Sequence, residues 1–334
     1  MNDDAQFMPT VSFVIPTFNA GVLIEECLSS IRNQEYPQEK VEIIIVDANS
    51  HDNTRALCSA YNCTILDNPY INHPKGRAIG ATKAIGELIV FPDSDNILVE
   101  TDWLRKMVVP FTDPTVVSAE PKYFSFRKHD SWLTTYIGLT GVDDPIAFYC
   151  GFYDRYSFIT NQWTATPHTS EKHTWYEKIF FPNIEMIPPL GANGYVVRKT
   201  ALQQIQFDPF WHVSVARQLL TCGSHCEVET GIVHVHSASV RKFIQKKIRR
   251  IQRRASSSDD NKYQQFSRKT IVLMAAKVGC VIPILYDTVR GFVRKPNAAW
   301  LLHPILTYVV FIVYSYYFVF GKFRTNKQSS YEYI

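Results

Sequence analysis

Two short apolar runs, Val11-Ser-Phe-Val-Ile-Pro16 and Val41-Glu-Ile-Ile-Ile-Val46, constrain the fold of this chain more than any other feature. Both are rich in β-branched residues, both have the length of a strand, and both carry apolar side chains on their two faces, as a strand covered on each side must. Between them Val22, Leu23, Cys27, Leu28 and Ile31 share one helical face. After the second run Ser50 or Asp52 is placed to cap another helix. Thr64-Ile-Leu66 reads as a weaker third strand, Arg77 to Ile85 as a helix, and Glu87-Leu-Ile-Val-Phe91 as a fourth strand running into Pro92-Asp-Ser-Asp95. This alternation predicts a mostly parallel sheet with helices on both faces. Ligands of such sheets lie beyond the carboxyl ends of the strands, and Thr17, Asp47 and Asp93 all fall at those ends.

From Pro121 to Leu190 the pattern loosens into an aromatic, proline-punctuated stretch that includes Trp132, Tyr136, Tyr149, Tyr153, Trp163 and Trp175. Long irregular segments in an α/β domain are commonly functional loops, and this one reads as such. Regular structure resumes at Gly191-Ala-Asn-Gly194, followed by a strand at Tyr195-Val-Val197, a short helix around Val215 to Cys222, and a strand ending Gly231-Ile-Val-His-Val-His236. His234 and His236, two apart on a strand, point to one face.

After His236 the character changes. Val240, Phe243, Ile244, Ile248 and Ile251 form an apolar stripe, while Arg241, Lys242, Lys246, Lys247, Arg249, Arg250, Arg253 and Arg254 fill the remaining faces. The formal charge of +4 over 334 residues hides this basic patch. Such a helix suits an anionic bilayer surface. A nucleic-acid partner is disfavoured, because stacking aromatics and a recognised nucleic-acid-binding fold are missing. A polar linker at Ser256 to Asn261 leads to an apolar stretch, Ile271 to Val289, interrupted by Lys277, Pro283 and Asp287. Ala299 to Phe320 is long enough to cross a bilayer, with Lys322 and Arg324 as interfacial anchors, while its tyrosines and Pro304 leave a shallow or hairpin-like insertion open.

The expected organisation is one domain of two halves, 1–120 and 121–238, followed by membrane-associated helices over 239–334. A composition of 46% hydrophobic and 20% charged residues is that of a globular protein. Seven scattered cysteines without a C-x-x-C pair argue against a disulfide framework or zinc knuckle and suit a reducing compartment. Cys222, His225 and Cys226 read as ordinary packing. Met1-Asn-Asp-Asp begins no secretory signal, so the first domain is expected in the cytosol.

Asp93-Ser-Asp95 sets two carboxylates near one another at a strand end, where a hard divalent cation would bridge them to phosphate oxygens. Alone, a D-x-D triplet is a weak signal. Its context is not: Val14-Ile-Pro-Thr-Phe-Asn19, Val46-Asp-Ala-Asn-Ser-His-Asp-Asn-Thr54, Lys75-Gly-Arg77 and Glu87-Leu-Ile-Val-Phe-Pro-Asp-Ser-Asp95 follow one another as in family 2 glycosyltransferases, which the chain resembles from about Pro9 to His236. The resemblance implies a GT-A-like fold, with 1–120 as the nucleotide-sugar (donor) binding half and 121–238, including the irregular stretch, as the acceptor-binding half, together with inverting sugar transfer from a nucleotide diphosphate-sugar and a Mn2+ or Mg2+ cofactor. The tail resembles that of relatives acting on lipid-linked acceptors. Carried over residue by residue, Pro16, Thr17 and Asn19 would line the nucleoside pocket and Asp47 would bind the base. Arg77 would hold the diphosphate, Asp93 would face the ribose or sugar, and Asp95, with His234, would ligate the metal.

The family commonly places a base aspartate after Gly-Ala-Asn-Gly. Here the corresponding Phe207-Asp-Pro-Phe-Trp-His-Val-Ser-Val215 lacks it, and Ser214 or a neighbour stands in its place. Serine is no base near neutral pH without help, so His212 is the first substitute and Asp208 the second, with Asp143, Asp144 and Asp154 as further acids. Asp144, Tyr149, Asp154 and Arg155 are candidates for holding the acceptor. Two rival readings follow: a nucleotide-sugar-binding pseudoenzyme that has lost its base, and a dinucleotide-dependent oxidoreductase. The second needs a glycine-rich turn after the first strand, and Pro16-Thr-Phe-Asn19 offers none.

Overall fold

A computed structural model describes residues 7–153, 155–236, 239–254 and 268–320. Asp154, the linker at 256–261, Lys322, Arg324 and the first six residues lie outside the described set. In chain order the elements are β1 (Val11–Thr17), α1 (Ile24–Arg32), β2 (Val41–Asp47), α2 (Thr54–Ala60), β3 (Thr64–Asp67), α3 (His73–Lys83), β4 (Leu88–Phe91), β5 (Asn96–Ile97), α4 (Trp103–Val108) and β6 (Val116–Ser125). Then come α5 (Trp132–Thr140), α6 (Pro145–Tyr149), β7 (Thr169–Lys172), β8 (Tyr176–Phe180), β9 (Tyr195–Arg198), α7 (Lys199–Leu202), α8 (His212–Leu219) and β10 (Ser224–His234). Four helices close the chain: α9 (Val240–Arg254), α10 (Arg268–Gly279), α11 (Val281–Arg294) and α12 (Leu302–Phe320).

The described residues divide into two compact units, one holding those up to Ser125 with Pro167–His234, the other holding Phe126–Thr166 with those between Val235 and Phe320. Residues 126–166, expected with the sheet as an acceptor half, instead group with the C-terminal helices.

The first unit is built on one sheet with strand order β3-β2-β1-β4-β9-β6-β10-β8-β7, and β5 pairs with β10. Its first four strands run parallel, as the alternating pattern predicts. β6 and β10 also pair in parallel, whereas β9, β8, β7 and β5 pair antiparallel, so the sheet is mixed. The difference has a simple source. β7 and β8 are joined by a short turn, which only an antiparallel pair allows, and β9 enters between two strands of the opposite sense.

Registers bring the strand ends level: Thr17 stands opposite Asp47, and Asp47 opposite Asp67. β1 and β2 are buried nearly throughout, with Phe13, Val14, Ile15, Ile45 and Val46 at 0% exposure. α3 lies close upon them. A Cβ at Gly80 would come within 2.3 Å of Val14 Cγ1, so only glycine lets the helix approach this far. That approach carries Arg77, one turn earlier, toward the strand ends. α3 starts four residues before the expected Arg77, with Asn72 accepting from the Lys75 amide as N-cap and Pro74 in the first turn.

The second unit is helical. Ser131 caps α5, which ends at Gly141 in the left-handed conformation (φ 71°). Asp144 caps α6 by accepting from the Ile146 and Ala147 amides. α10 and α11 meet at an 80° bend. The segment Ala298–Tyr317 is long and apolar enough to cross a membrane, with a mean hydropathy of 1.6.

Candidate active site

Asp47 is fully buried at the tip of β2, and its charge is answered on every side. Oδ1 accepts from the Thr17 hydroxyl at 2.9 Å and the Ser50 hydroxyl at 2.6 Å. Oδ2 accepts from the Ser50 amide at 3.0 Å and from Arg55 at 3.2 Å. It caps no helix, for α2 begins later, after Asn53. Asn19 adopts φ 49° and accepts from the His51 amide at 2.9 Å, so it holds the 50–51 turn against the end of β1. Beside them Pro16, Thr17, Phe18, Ala48, Asn68 and His73 line a cleft at the strand ends. Pro16, Thr17 and Asp47 are thus together, while the Asn19 side chain braces the loop.

Past β4, Asp93 Oδ1 accepts from Arg77 at 2.8 Å and lies 3.0 Å from His73 Nε2. Burial works to raise the Asp93 carboxyl, but the charges of Arg77, His73 and His234 outweigh it and leave it well below the usual carboxylate range. Arg77 is only 3% exposed and sends a second bond, 3.2 Å, to the Gly191 carbonyl. The Gly191 amide in turn donates to Glu120 Oε2 at 3.3 Å. Gly191 has φ 102°, and a Cβ there would lie 2.8 Å from the His212 carbonyl oxygen, so the residue is fixed as glycine by both backbone and space. Arg77 is therefore held from behind by the Gly-Ala-Asn-Gly loop.

Asp95 Oδ2 lies 3.4 Å from His234 Nε2, at the end of β10. Asn96 ties this corner to the same loop by donating to Asn193 at 3.2 Å. A carboxylate and an imidazole at this separation, both partly open, form a donor set that suits a divalent cation which keeps other positions for phosphate oxygens. Asp95 and His234 are the residues that would hold it. His236, expected on the same strand face, instead lies beyond the end of β10, in the second unit, where its amide donates to Thr134 at 2.9 Å.

Among the described residues, one group of three metal-ligating side chains lies close together, and it is not this pair: Glu120, His225 and Glu227, all buried on β6 and β10. His225 Nε2 is 3.2 Å from Glu227, and its Nδ1 is 3.0 Å from the Ser118 hydroxyl. The site therefore contains two assemblies, an open one at Asp93, Asp95 and His234 and a closed one behind Gly191.

The profile of "Glycosyl transferase family 2" matches residues 12–184, more than half of the chain, and takes in Thr17, Asp47, Arg77, Asp93 and Asp95. The chain belongs to this family. Over 140 residues it is 29% identical to "Glycosyltransferase AglE" of Haloferax volcanii, covering 36% of this chain and 45% of that one. Over 99 residues it is 34% identical to "GalNAc(5)-diNAcBac-PP-undecaprenol beta-1,3-glucosyltransferase" of Campylobacter jejuni, covering 28% and 31%. The chain thus matches less than half the length of these curated relatives. In structure it is similar to the mannosyltransferase PcManGT from Pyrobaculum calidifontis in complex with GDP-Man and Mn2+, with TM-score 0.53 and 16% identity over 96% of this chain and 90% of that one. The fold is GT-A-like.

The two base candidates also fall in the first unit. Asp208 forms an ion pair with Lys75 at 2.8 Å, and the neighbouring Phe210 amide donates to the Pro74 carbonyl at 3.1 Å, so the loop is pinned to the start of α3. His212 begins α8, directly against Gly191. The described acceptor candidates, Asp144, Tyr149 and Arg155, belong to the second unit. Asp144 caps α6 and accepts from Tyr314, Tyr149 donates to Asp287 at 3.1 Å, and Arg155 is 1% exposed.

Sequence reasoning missed His73, Arg55 and Glu120. His73 was legible in principle, since Asn72-His-Pro74 is a helix-start signature. Glu120 was not, because a lone glutamate in Val116–Ser125 gives no hint that the strand is central.

Proposed function

We propose that this family 2 protein transfers a sugar, with inversion at the anomeric carbon, from a nucleotide diphosphate-sugar to an acceptor, lipid-linked, at the cytosolic membrane face. The observation that carries the reading is the convergence of Asp47, Arg77, Asp93, Asp95 and His234 at the carboxyl ends of the strands within one unit. Asp47 and Thr17 take the nucleoside end. Arg77, with Nη1 on the Gly191 carbonyl and Nη2 on Asp93, lends its positive charge to the diphosphate end of the site. Asp95 and His234 would hold Mn2+ or Mg2+, which would supply Lewis-acid neutralisation of the leaving diphosphate. Asp93 orients Arg77 and His73 and faces the sugar.

In this reading the acceptor hydroxyl attacks the anomeric carbon from the face opposite the diphosphate as the glycosidic C–O bond breaks. The nucleoside diphosphate departs with the bonding pair, and the hydroxyl proton passes to the imidazole of His212. Asp208 is the second base candidate. Its pair with Lys75 favours a role in holding the loop. The binding-only alternative gains nothing from the geometry, since the groups that would serve turnover stand beside those that would serve binding.

Names among the relatives motivate the lipid-linked acceptor, and the basic face of α9 motivates anionic lipids as a surface partner. The test is a screen of UDP- and GDP-sugars by thermal shift with and without Mn2+, followed by transfer assays in detergent. A metal-dependent rise in Tm with one donor class and product formation on a polyprenyl-phosphate-linked acceptor support the reading. Donor binding without turnover on any lipid-linked or soluble acceptor sinks it in favour of a binding protein.

A further inference from the structure

α12 has two different sides. Outward, Ile305, Ile312 and Tyr316 are each more than half exposed; inward, His303, Leu306, Thr307 and Val310 are buried. α11 repeats the arrangement, with Ile282, Val289 and Val293 on an exposed apolar face and Ile284 and Gly291 buried. The spacings put each set on one helical face. Contiguous exposed apolar stripes of this kind, on two neighbouring helices, mark a surface that meets a partner or a membrane.

The inward side of α12 is tied by polar groups at two levels. Near its start, His303 lies 2.9 Å from the Tyr136 hydroxyl and 3.0 Å from that of Tyr149, which also donates to Asp287. Farther along, Tyr314 donates to Asp144, and Asp144 lies 3.6 Å from the Lys247 ammonium. Lys247 is fully buried and also pairs with Asp143 at 2.6 Å. The two levels are eleven residues apart, about 16 Å of helix, against a hydrocarbon core of about 30 Å. A crossing α12 would take these charges into hydrocarbon, where ionised side chains are costly. Lys247 belongs to α9, whose Arg241, Lys242 and Arg249 are exposed, so the same tether holds a cationic surface beside α12. Cations beside an apolar face fit the headgroup and acyl zones of one anionic leaflet.

We infer that the second unit is a one-leaflet platform: α11 and α12 lie in the plane of the membrane with their apolar faces among the acyl chains, α9 rests at the headgroups, and no helix crosses. This rests on the membrane association proposed above and deepens it. The experiment uses the full chain in sealed inside-out membrane vesicles, whose outer face is the cytosolic one. Two reporters are read: labelling of Lys295→Cys by an impermeant maleimide above that of the unsubstituted chain, and cleavage of a protease site appended after Ile334. Both are expected to be accessible from outside without detergent. A protected Lys295→Cys means two crossings, and a protected C-terminal site means one; either result overturns the platform.

A second variant, Ile282→Glu with Val289→Glu, is expected to lower flotation with phosphatidylcholine–phosphatidylglycerol vesicles at least tenfold while leaving the circular dichroism unchanged. Unchanged flotation overturns it. A wild-type chain that floats with no vesicle and runs as a dimer assigns the apolar face to a second copy and removes the membrane reading itself.

Discussion

In the sheet unit Asp93 meets Arg77 and His73 with 26% of its side chain still open to solvent, while in the helical unit Lys247 meets Asp143 and Asp144 with none of its own. Both are clusters of desolvated charge, and both are hydrogen-bonded. The difference lies in what each leaves over. The Asp93 cluster sits where parallel strands end: His73 lines the cleft there, and Asp93 keeps an open share of its carboxylate to offer a ligand. The Lys247 cluster is closed among helices, and its partners consume it. The first should govern chemistry as well as contribute to folding, and the second should act on folding alone.

The largest effects test that contrast directly. Asp95→Asn keeps the shape of the strand end and removes a charge opposite His234, so transfer is expected to fall on the order of 10²–10³-fold, the usual cost of losing one electrostatic stabiliser, with Tm unchanged. Lys247→Met removes a fully buried ammonium from two partly buried carboxylates, Asp143 and Asp144, and is expected to lower stability by up to about 3–5 kcal/mol, the cost of removing one partner of a buried pair, with donor binding per folded molecule preserved. Transfer rates and denaturant unfolding of the two variants check this. Loss of stability in Asp95→Asn, or of donor binding in Lys247→Met, would break the comparison.

The same contrast explains what the sequence could disclose. β1, β2 and β4 announce themselves because a strand buried on both faces must be a continuous β-branched run, and Thr17, Asp47 and Asp93 are visible as the first polar residues after each. β6 was hidden: Glu120 and Lys122 interrupt its apolar pattern, and their partners, the Gly191 amide for one and Glu229 for the other, are distant in sequence. The irregular reading of 121–190 hid a division, since 126–166 packs with helices more than a hundred residues later. His225 looked like packing because its partner Ser118 is placed beside it by strand register, which is a tertiary fact, while Glu227, two residues along the same strand, gives no signal by itself.

Smaller effects sharpen the picture within the sheet unit. His234→Ala leaves Asp95 alone, and Mn2+ affinity measured by calorimetry in the presence of nucleoside diphosphate is expected to weaken about 10–100-fold. Glu120→Gln keeps an acceptor for the Gly191 amide and removes the charge. The expected loss is about 1 kcal/mol, or about fivefold in turnover, with Mn2+ affinity unchanged. If Glu120→Gln weakens the metal as much as His234→Ala does, the closed assembly on β6 and β10, and not the strand end, is where the ion sits.

The smallest expected effect concerns acid. Asp113 is held by Lys178 at 2.7 Å on the sheet, away from any strand end used by the site. Burial pushes its carboxyl up, but the Lys178 and Thr115 hydrogen bonds prevail and bring it down to about 2. A carboxyl depressed in the folded state binds its proton more readily when unfolded, so its contribution to stability is complete above the ordinary carboxylate value of about 4 and disappears as pH falls through its folded value. Asp113→Asn should therefore lower Tm at pH 7, converge with the wild type near pH 2, and leave transfer at pH 7 intact. Asp93→Asn should also flatten the acid limb, because that carboxyl is depressed too, but it should cost transfer at every pH. Calorimetric Tm from pH 7 to 2, set beside transfer assays, separates a carboxylate that holds the fold from one that also meets the ligand.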